Sequence, residues 1–352
     1  MVQEKYIPIL FGFRNNMNYI GSKYRLSSFI KETVYEVVGK DLSNKVFCDI
    51  FAGTGIVGRI FKNEVKKVIS NDFEYYSFVL NRNYIQNTKS LKNSKKLIDK
   101  LNNINSLKGF IYTNYCRGGH GDRQYFSDAN GQKIDGIRAE IATLKATKQI
   151  DDNMYYFLLA SLLESADKVA NTASVYGAYL KHIKKTAAKE LVLKAAEFDC
   201  TNQQNEVFNT DSNLLIKQIK GDILYLDPPY NARQYGANYH VLNTIAKNDT
   251  FIPKGKTGLR AYNRSNYCSK PKVKDEFENL IKNANFKYIF LSYNNEGLMS
   301  TDEVKMIMEK YGKYSLYATD YTRFKADKTE NRNHKADKTE EYLHVLVKED
   351  VL

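Results

Sequence analysis

Cysteine, tryptophan and long apolar runs are scarce in this sequence of 352 residues. The four cysteines, Cys48, Cys116, Cys200 and Cys268, lie far apart and form no Cys-x-x-Cys pair. This spacing argues against a disulfide framework and against a zinc site. Tryptophan is absent, and no apolar window approaches the roughly 18 residues of a membrane span. We therefore expect a cytoplasmic protein of a bacterial or phage-like host, with no bound metal and no membrane contact.

Hydrophobic residues make up 43% of the chain, enough to bury a substantial core. The length indicates either one large domain with an insertion or two modest domains. Lysine and arginine number 53 against 40 acidic residues, a net charge of +13. Such an excess favours a polyanionic partner, although lysine-rich solvated surfaces give the same count.

Short apolar runs alternate with amphipathic stretches near the start of the chain. Residues 46–50 and 67–70 are typical of buried strands, and residues 56–61 and 74–85 are typical of helices. Parallel strands joined by crossover helices produce this alternation. The pattern predicts a βαβα unit.

Helical patterns replace strand patterns between residues 86 and 205. The predicted helices cover residues 91–101, 134–144, 152–170 and 187–198. A glycine-bearing stretch, Tyr112–Tyr125, carries Arg117 and Arg123, which suit a mobile loop that contacts anions. An ordinary surface loop is the other interpretation. We expect residues 86–205 to be a mostly helical insertion between two parts of one catalytic domain, residues 1–85 and 206–352.

The alternating pattern resumes at Glu206. Strands are predicted at residues 222–226, 287–293, 314–319 and 341–347, and helices at residues 212–219, 239–246, 274–283 and 301–311. Ser300 and Glu303 form the capping-box signature of a helix start. The last two strands flank a polar segment with a short repeat, residues 325–330 and 335–340, so they are expected to pair antiparallel. We interpret the repeat as a basic, solvent-facing arm, with DNA backbone contact as a hypothesis.

A glycine turn follows the first predicted strand, in Asp49-Ile-Phe-Ala-Gly-Thr-Gly55. Its glycines allow a ligand to approach the backbone, although such pairs also join elements in many proteins. Asp72 follows the next strand, about 20 residues beyond the glycines, where a carboxylate accepts hydrogen bonds from ribose hydroxyls. The combination favours a cofactor that contains adenosine.

The strongest local signal is the tetrapeptide Asp227-Pro-Pro-Tyr230 after the apolar residues 223–226. The strand brings an acidic residue to its carboxyl end, and two prolines then fix φ and prevent further ladder hydrogen bonds. Ligands of open α/β sheets bind at that edge. A stiff backbone therefore holds a carboxylate and an aromatic ring beside the predicted cofactor turn.

Four segments in this order resemble the adenine-specific DNA methyltransferases of bacterial restriction-modification and Dam-like systems. They are residues 18–23, residues 49–55, Asn71-Asp72 and residues 227–230. The resemblance covers most of the chain. It implies a Rossmann-like α/β methyltransferase sheet, mostly parallel with an antiparallel final strand, and a target recognition region within the helical insertion.

The resemblance also implies a cofactor, S-adenosylmethionine, and a set of residues that binds it. The set comprises Tyr19, Lys23, Asp49, Phe51, Gly53, Gly55, Asp72, Asp211 and Asp227. Within it Lys23 would hold the methionine carboxylate, Asp72 the ribose hydroxyls and Asp211 the adenine. Double-stranded DNA is the expected partner, with a cognate restriction endonuclease acting separately.

The chemistry of adenine methylation explains the tetrapeptide. The amino lone pair of adenine is delocalised into the ring, so acceptors must draw on its protons. The Asp227 side chain and the Pro228 carbonyl can supply that pair, and Tyr230 can stack on a flipped base. Three residues of the following loop, Asn231, Arg233 and Tyr235, are candidates for DNA contact together with Arg117 and Arg123.

Two other classes of protein compete with this interpretation. Related tetrapeptides serve methyltransferases that act on the cytosine amino group, on RNA adenine or on protein glutamine, and the leading aspartate favours adenine. A non-catalytic protein that binds nucleic acid is the alternative from a different class. Lys23, the glycine turn and Asp72 argue against it, because a binding module needs no cofactor pocket.

Overall fold

The computed structural model describes Met17, residues 23–322 and residues 338–349. Within this part of the chain seven strands form one sheet in the order β3-β2-β1-β4-β5-β7-β6. The strands are β1 (Val46–Asp49), β2 (Lys67–Asn71), β3 (Glu206–Phe208), β4 (Lys220–Leu226), β5 (Asn285–Asn294), β6 (Gly312–Thr322) and β7 (Lys338–Lys348).

Strand direction defines where a ligand can bind. β3, β2, β1, β4 and β5 pair in parallel, whereas β7 runs antiparallel to both β5 and β6. The predicted α/β sheet with an antiparallel final strand is confirmed. The strand order reverses between β1 and β4, and such a switch point opens a crevice at the carboxyl ends of the strands.

Twelve α-helices lie in the described residues. They are α1 (Ser27–Val38), α2 (Ile56–Phe61), α3 (Tyr75–Asn81), α4 (Ser94–Asn102), α5 (Phe110–Tyr115), α6 (Asp128–Ala146), α7 (Asp152–Lys168), α8 (Ser212–Leu215), α9 (Tyr235–Asn238), α10 (His240–Lys247), α11 (Val273–Asn283) and α12 (Thr301–Met308). Ser300 caps α12 in the predicted capping box. None of the helices in the described ranges is both long and apolar enough to cross a bilayer.

Helices cover both faces of the sheet because successive strand residues point to opposite sides. Phe47 packs on one face in the core that includes α1 and α2. Cys48 packs on the other face in the core that includes α8, α11 and α12. Burial on both faces explains why β1 and β4 are nearly continuous apolar runs in the sequence.

The helices of residues 86–205 share a third core with the catalytic part of the chain. Side chains from α4, α5, α6 and α7 pack together with those of α3 and α10. The inserted helices therefore pack against α3 and α10, which belong to the catalytic part of the chain. Their role as a target recognition region stays a prediction.

The helix predicted at residues 187–198 is wrong. No helix forms there; Leu191, Leu193 and Ala196 are buried in a segment without regular secondary structure. Backbone amides of this segment donate to side chains of the inserted helices: Leu191 to Asn130 Oδ1 at 2.9 Å, Leu193 to Asn102 Oδ1 at 2.8 Å and Ala196 to Ser161 Oγ at 3.0 Å. These tertiary hydrogen bonds replace those of a helix, and the apolar spacing gives no sign of them.

Other elements differ from prediction in extent. The predicted helix at residues 74–85 ends as α3 at Asn81 and continues as a π-helical turn, Arg82–Gln86. The predicted loop Tyr112–Tyr125 begins inside α5. The helices α1, α5 and α9 and the short edge strand β3 were not predicted.

Candidate active site

A cleft of about 1010 Å³, its open mouth included, lies at the carboxyl ends of β1, β2 and β4. This volume is sufficient for a nucleoside-sized ligand. Seven of the predicted cofactor residues line it: Lys23, Asp49, Phe51, Gly53, Asp72, Asp211 and Asp227. Of the other two, Gly55 is not among the residues that line the cleft, and Tyr19 lies outside the described residues, as does most of the repeat arm.

The glycine turn between β1 and α2 requires its glycines. Gly53 and Gly55 have φ of 52° and 78°, in the left-handed region that side chains disfavour. A Cβ at Gly55 would also lie 2.7 Å from Asn81 Oδ1. The Asn81 side-chain amide donates to the Gly53 carbonyl at 3.1 Å, so α3 holds the turn in place.

Asp72, at the end of β2, anchors the same turn. Its carboxylate accepts from the backbone N–H of Gly53 at 2.7 Å and of Glu74 at 2.8 Å. Burial raises the pKa of Asp72 to about 7, and these two hydrogen bonds oppose the shift. Each oxygen retains a free acceptor direction for a ligand in the cleft.

Asp49 is a buried carboxylate to which no hydrogen bond is donated within the described part of the chain. Its side chain is 1% exposed, and neither oxygen receives a hydrogen bond within the described structure. The backbone amides of Phe51 and Gly58 approach it without reaching hydrogen-bond geometry. Burial, and then the charges of Asp227 and Asp72, raise the pKa of Asp49 well above its ordinary value. A buried acceptor in this state needs a donor or a cation from a ligand.

Lys23 lies between two carboxylates in the cleft. Its ammonium is 3.2 Å from Asp227 Oδ1 and 3.8 Å from Glu341 Oε2, and the residue is 5% exposed. Burial lowers the pKa of Lys23, but the two carboxylates more than compensate and raise it well above its ordinary value. The lysine is therefore charged at neutral pH.

Asp227 has an unusual affinity for a proton. Burial raises its pKa to about 6, Lys23 lowers it, and the like charge of Glu341 raises it again. At neutral pH the carboxylate is ionised and able to accept hydrogen bonds. Glu341 was not predicted, because it comes from the antiparallel strand β7, where no motif marks it.

The tetrapeptide places an aromatic ring beside this charge cluster. The Lys23 ammonium lies 5.9 Å from the centre of the half-buried Tyr230 ring. The Tyr230 ring packs edge-on against Tyr293 at 6.5 Å, and its carbonyl accepts from the Leu298 N–H at 3.0 Å. Pro228 is buried behind it. The backbone of the motif is therefore fixed from the β5 side.

Residues 263–267, which we name the cleft wall, form a side of the cleft that sequence reasoning missed. Tyr267 meets Phe51 edge to face at 5.0 Å, and its hydroxyl donates to Asn213 Oδ1 at 2.8 Å. The Gln234 side chain accepts from the Ser265 N–H at 2.8 Å and donates to its carbonyl at 3.2 Å. Polar loops of this kind carry no periodic signal, so the sequence gives no sign of this contact.

Asp211 lies at the border of the cleft as the N-cap of α8. Its Oδ1 accepts from the backbone N–H of Asn213 at 2.8 Å and of Leu214 at 3.1 Å. Capping is a sufficient structural reason for an aspartate at this position. Asp211 also lines the cleft, so its contact with the cofactor stays a prediction.

The predicted DNA-binding residues fall into two groups. Arg117 and Arg233 are exposed, and the Asn231 side chain accepts from the Arg233 N–H at 2.9 Å, which orders the loop after the tetrapeptide. Tyr235 turns into the cleft and stacks on Tyr239 at 6.1 Å. The exposed arginines therefore remain available to phosphates, whereas Tyr235 lines the cleft.

Arg123 is engaged within the protein. Its guanidinium donates to the carbonyls of Asn114 at 3.0 Å, Gly255 at 3.0 Å and Lys256 at 3.1 Å. Three of its five N–H groups are thus used to join the loop after α5 to the loop after α10. The contacts favour a role in shaping this surface.

Known proteins resemble this chain over most of its length. The family model of the D12 class N6 adenine-specific DNA methyltransferases matches residues 19–307. The Type II methyltransferase M.NlaIII of Neisseria lactamica is 61% identical over 332 residues, 94% of this chain and 99% of that protein. M.CviAII of Paramecium bursaria Chlorella virus 1 is 39% identical, covering 89% of this chain and 94% of that protein. M.FokI of Planomicrobium okeanokoites is 38% identical, covering 96% of this chain and 53% of that protein.

Proposed function

The chain belongs to the D12 class of N6 adenine-specific DNA methyltransferases, and from this we propose which residues bind the cofactor and which activate the adenine. The family methylates the exocyclic amino group of adenine in DNA. We further propose that this enzyme is the modification partner of a type II restriction-modification system. Its relatives are Type II methyltransferases, and a cognate endonuclease would cleave the same site when it is unmethylated.

S-adenosylmethionine fits the cleft, because the Asp49 carboxylate needs a cationic or hydrogen-bond-donating ligand. This single observation carries the cofactor assignment. When bound, the cofactor supplies an electrophilic methyl group on a sulfonium. We propose that Asp49 faces the cationic methionine part, Lys23 the methionine carboxylate and Asp72 the ribose hydroxyls. Phe51, Gly53 and Gly55 would shape the intervening surface, and Tyr19 and Asp211 would complete the site.

We propose that Asp227 and the Pro228 carbonyl accept hydrogen bonds from the adenine amino group. These acceptors increase the electron density on nitrogen as its geometry becomes tetrahedral, without a covalent enzyme intermediate. Asp227 meets the requirement of ionisation at neutral pH, since its pKa is about 6. Tyr230 would stack on the flipped base, a contact typically worth about 1–3 kcal/mol.

The substrate must be a nucleic acid from which a base can leave its stack. Exposed basic residues such as Arg117 and Arg233, together with the net charge of +13, favour phosphate contact. The inserted helices would reach the groove edges that specify sequence. We propose duplex DNA as the partner through these two surfaces.

Transfer of a labelled methyl group tests the proposal directly. Purified protein with methyl-labelled S-adenosylmethionine should label duplex DNA, and digestion to nucleosides should yield N6-methyladenine. Labelled RNA with unlabelled DNA would identify an RNA enzyme, and labelled cytosine would identify a different amino-group specificity. Either result would refute the assignment of substrate.

The cleft wall should matter for cofactor binding more than for chemistry. We expect Tyr267→Ala to weaken binding of S-adenosylhomocysteine about 10-fold, because an aromatic partner of Phe51 is lost and a face of the cleft opens. Tyr267→Phe keeps the ring and loses only the hydrogen bond to Asn213, so we expect a change of about 3-fold or less. Calorimetry measures both constants. Equal effects of the two variants would contradict a packing role for the ring.

A further inference from the structure

Glu341 reaches the catalytic edge of the sheet from an unexpected direction. It lies near the start of β7, paired with Asn294 at the end of β5. Because β7 is antiparallel to β5, its first residues, and not its last, meet the carboxyl ends of the parallel strands. The side chain is buried there, with the residue 7% exposed.

The partner of Glu341 in the described structure is the ammonium of Lys23. Its Oε2 receives no hydrogen bond from described residues and lies 3.8 Å from the Lys23 Nζ. The same ammonium lies 3.2 Å from Asp227 Oδ1. One buried cation is therefore shared by a buried carboxylate, Glu341, and a half-buried one, Asp227.

We propose that Glu341 is a positioning residue whose charge offsets part of the Lys23 charge, so that Asp227 keeps its acceptor strength for the adenine amino group. A carboxylate neutralised by an ammonium of its own is a weaker acceptor. An ammonium shared with a second carboxylate leaves part of that negative charge available. The inference rests on the proposed role of Asp227, and it adds a residue that no motif contains.

The electrostatics at Asp227 support the assignment. The pKa of Asp227 is raised by burial, lowered by Lys23 and raised by Glu341, so the two neighbours act in opposite directions. In the described part of the chain, the charged or titratable groups that act on this carboxylate or on Lys23 come from several elements: Lys23 before α1, Asp49 of β1, Tyr225 of β4, Tyr230 of the tetrapeptide, Tyr235 of α9 and Glu341 of β7. Among them Glu341 is the group whose removal lowers the pKa of Asp227 without touching the cofactor turn.

Glu341→Gln tests the proposal, because it removes the charge and preserves the shape. Carbon-13 NMR of the carboxyl groups in the cofactor-free protein should show a lower pKa of Asp227. Single-turnover methyl transfer to DNA should slow about 10-fold, equivalent to about 1.4 kcal/mol in the barrier. The affinity for S-adenosylhomocysteine should change by about 3-fold or less, since Lys23 remains in place.

Glu340→Gln is the matched control. Glu340 neighbours Glu341 on β7 but is exposed and accepts from the Tyr342 hydroxyl at 2.6 Å. Its replacement should leave the pKa of Asp227 and the rate unchanged. Glu341→Asp keeps the charge one methylene further away, so we expect shifts in the same direction as in Glu341→Gln but smaller.

The possible results distinguish a failure of the Glu341 proposal from a failure of the proposed methyltransferase function. An unchanged pKa of Asp227 or an unchanged rate in Glu341→Gln would overturn the role of Glu341. If the affinity of Glu341→Gln for S-adenosylhomocysteine falls as much as its rate, the proposal is also overturned, because Glu341 would then belong to the cofactor site. If Glu341→Gln does not fold, unchanged values in Glu341→Asp overturn the proposal. Wild-type protein that methylates no DNA would refute the proposed function, whereas the titration of Asp227 would still report on Glu341.

Discussion

Asp227→Ala should abolish methyl transfer and leave cofactor binding largely intact. Removal of the carboxylate deprives the adenine amino group of its charged acceptor, and loss of one such preorganised group typically costs on the order of 100- to 1000-fold in rate. Cofactor binding persists because Asp49, Asp72 and the glycine turn are untouched. Lys23 also keeps a carboxylate partner in Glu341.

Two measurements define the Asp227 experiment. Single-turnover transfer to duplex DNA gives the rate, and calorimetry with S-adenosylhomocysteine gives the affinity. Asp227→Asn preserves shape and hydrogen-bonding capacity but not charge, and we expect it to be nearly as inactive as alanine. Asp275→Ala, on the exposed side of α11, is the control for loss of an aspartate. Full activity of Asp227→Ala would remove this residue from the mechanism.

Asp49→Asn should lose the cofactor and gain stability. The amide cannot balance the positive charge of the methionine part, so we expect affinity for S-adenosylmethionine to fall about 10- to 100-fold, or about 1.4–2.7 kcal/mol. In the cofactor-free protein the wild-type carboxylate is buried and receives no hydrogen bond from the residues that the structure describes. Its replacement by a neutral group relieves a desolvation cost of about 1–3 kcal/mol.

The gain in stability should depend on pH with a definite sign. The pKa of Asp49 in the folded protein is raised well above 3.8, so between these values the folded state binds more protons than the unfolded state. Wild-type stability therefore declines as pH rises through this interval, and the asparagine variant lacks that decline. Thermal melting without cofactor should show an advantage for Asp49→Asn that is larger at about pH 8 than at about pH 5.

Asp222 provides the contrast for this experiment. It also belongs to the central sheet, but its Oδ2 accepts from the Val46 N–H at 2.8 Å and its Oδ1 lies 3.6 Å from Lys45. We expect Asp222→Asn to bind cofactor normally and to gain no stability at any pH. Stabilisation of both variants alike would show that the effect at Asp49 is not specific to an unpartnered carboxylate.

The sequence alone determined the features that depend on neighbouring residues. The apolar residues 223–226 before two prolines indicate a buried strand that ends at a carboxylate, and β4 with Asp227 follows that pattern. The glycines at positions 53 and 55 indicate a turn whose backbone conformation is unfavourable for other residues, and both glycines have a positive φ. The order of these motifs also identified the family. Such signals survive without tertiary information because backbone sterics and strand periodicity are local.

Tertiary structure alone decided which distant groups share the cleft. Residues 187–198 have helical apolar spacing but form no helix, because side chains of the inserted helices accept hydrogen bonds from their backbone amides. Tyr267 became a wall of the cofactor cleft through its contact with Phe51. Glu341 reached Lys23 because the last strand runs antiparallel, which brings its first residues to the catalytic edge. The burial of Lys23 and its contacts with two carboxylates arise only when strands far apart in the chain pair. No local sequence pattern could therefore reveal that Lys23 lies beside both Asp227 and Glu341.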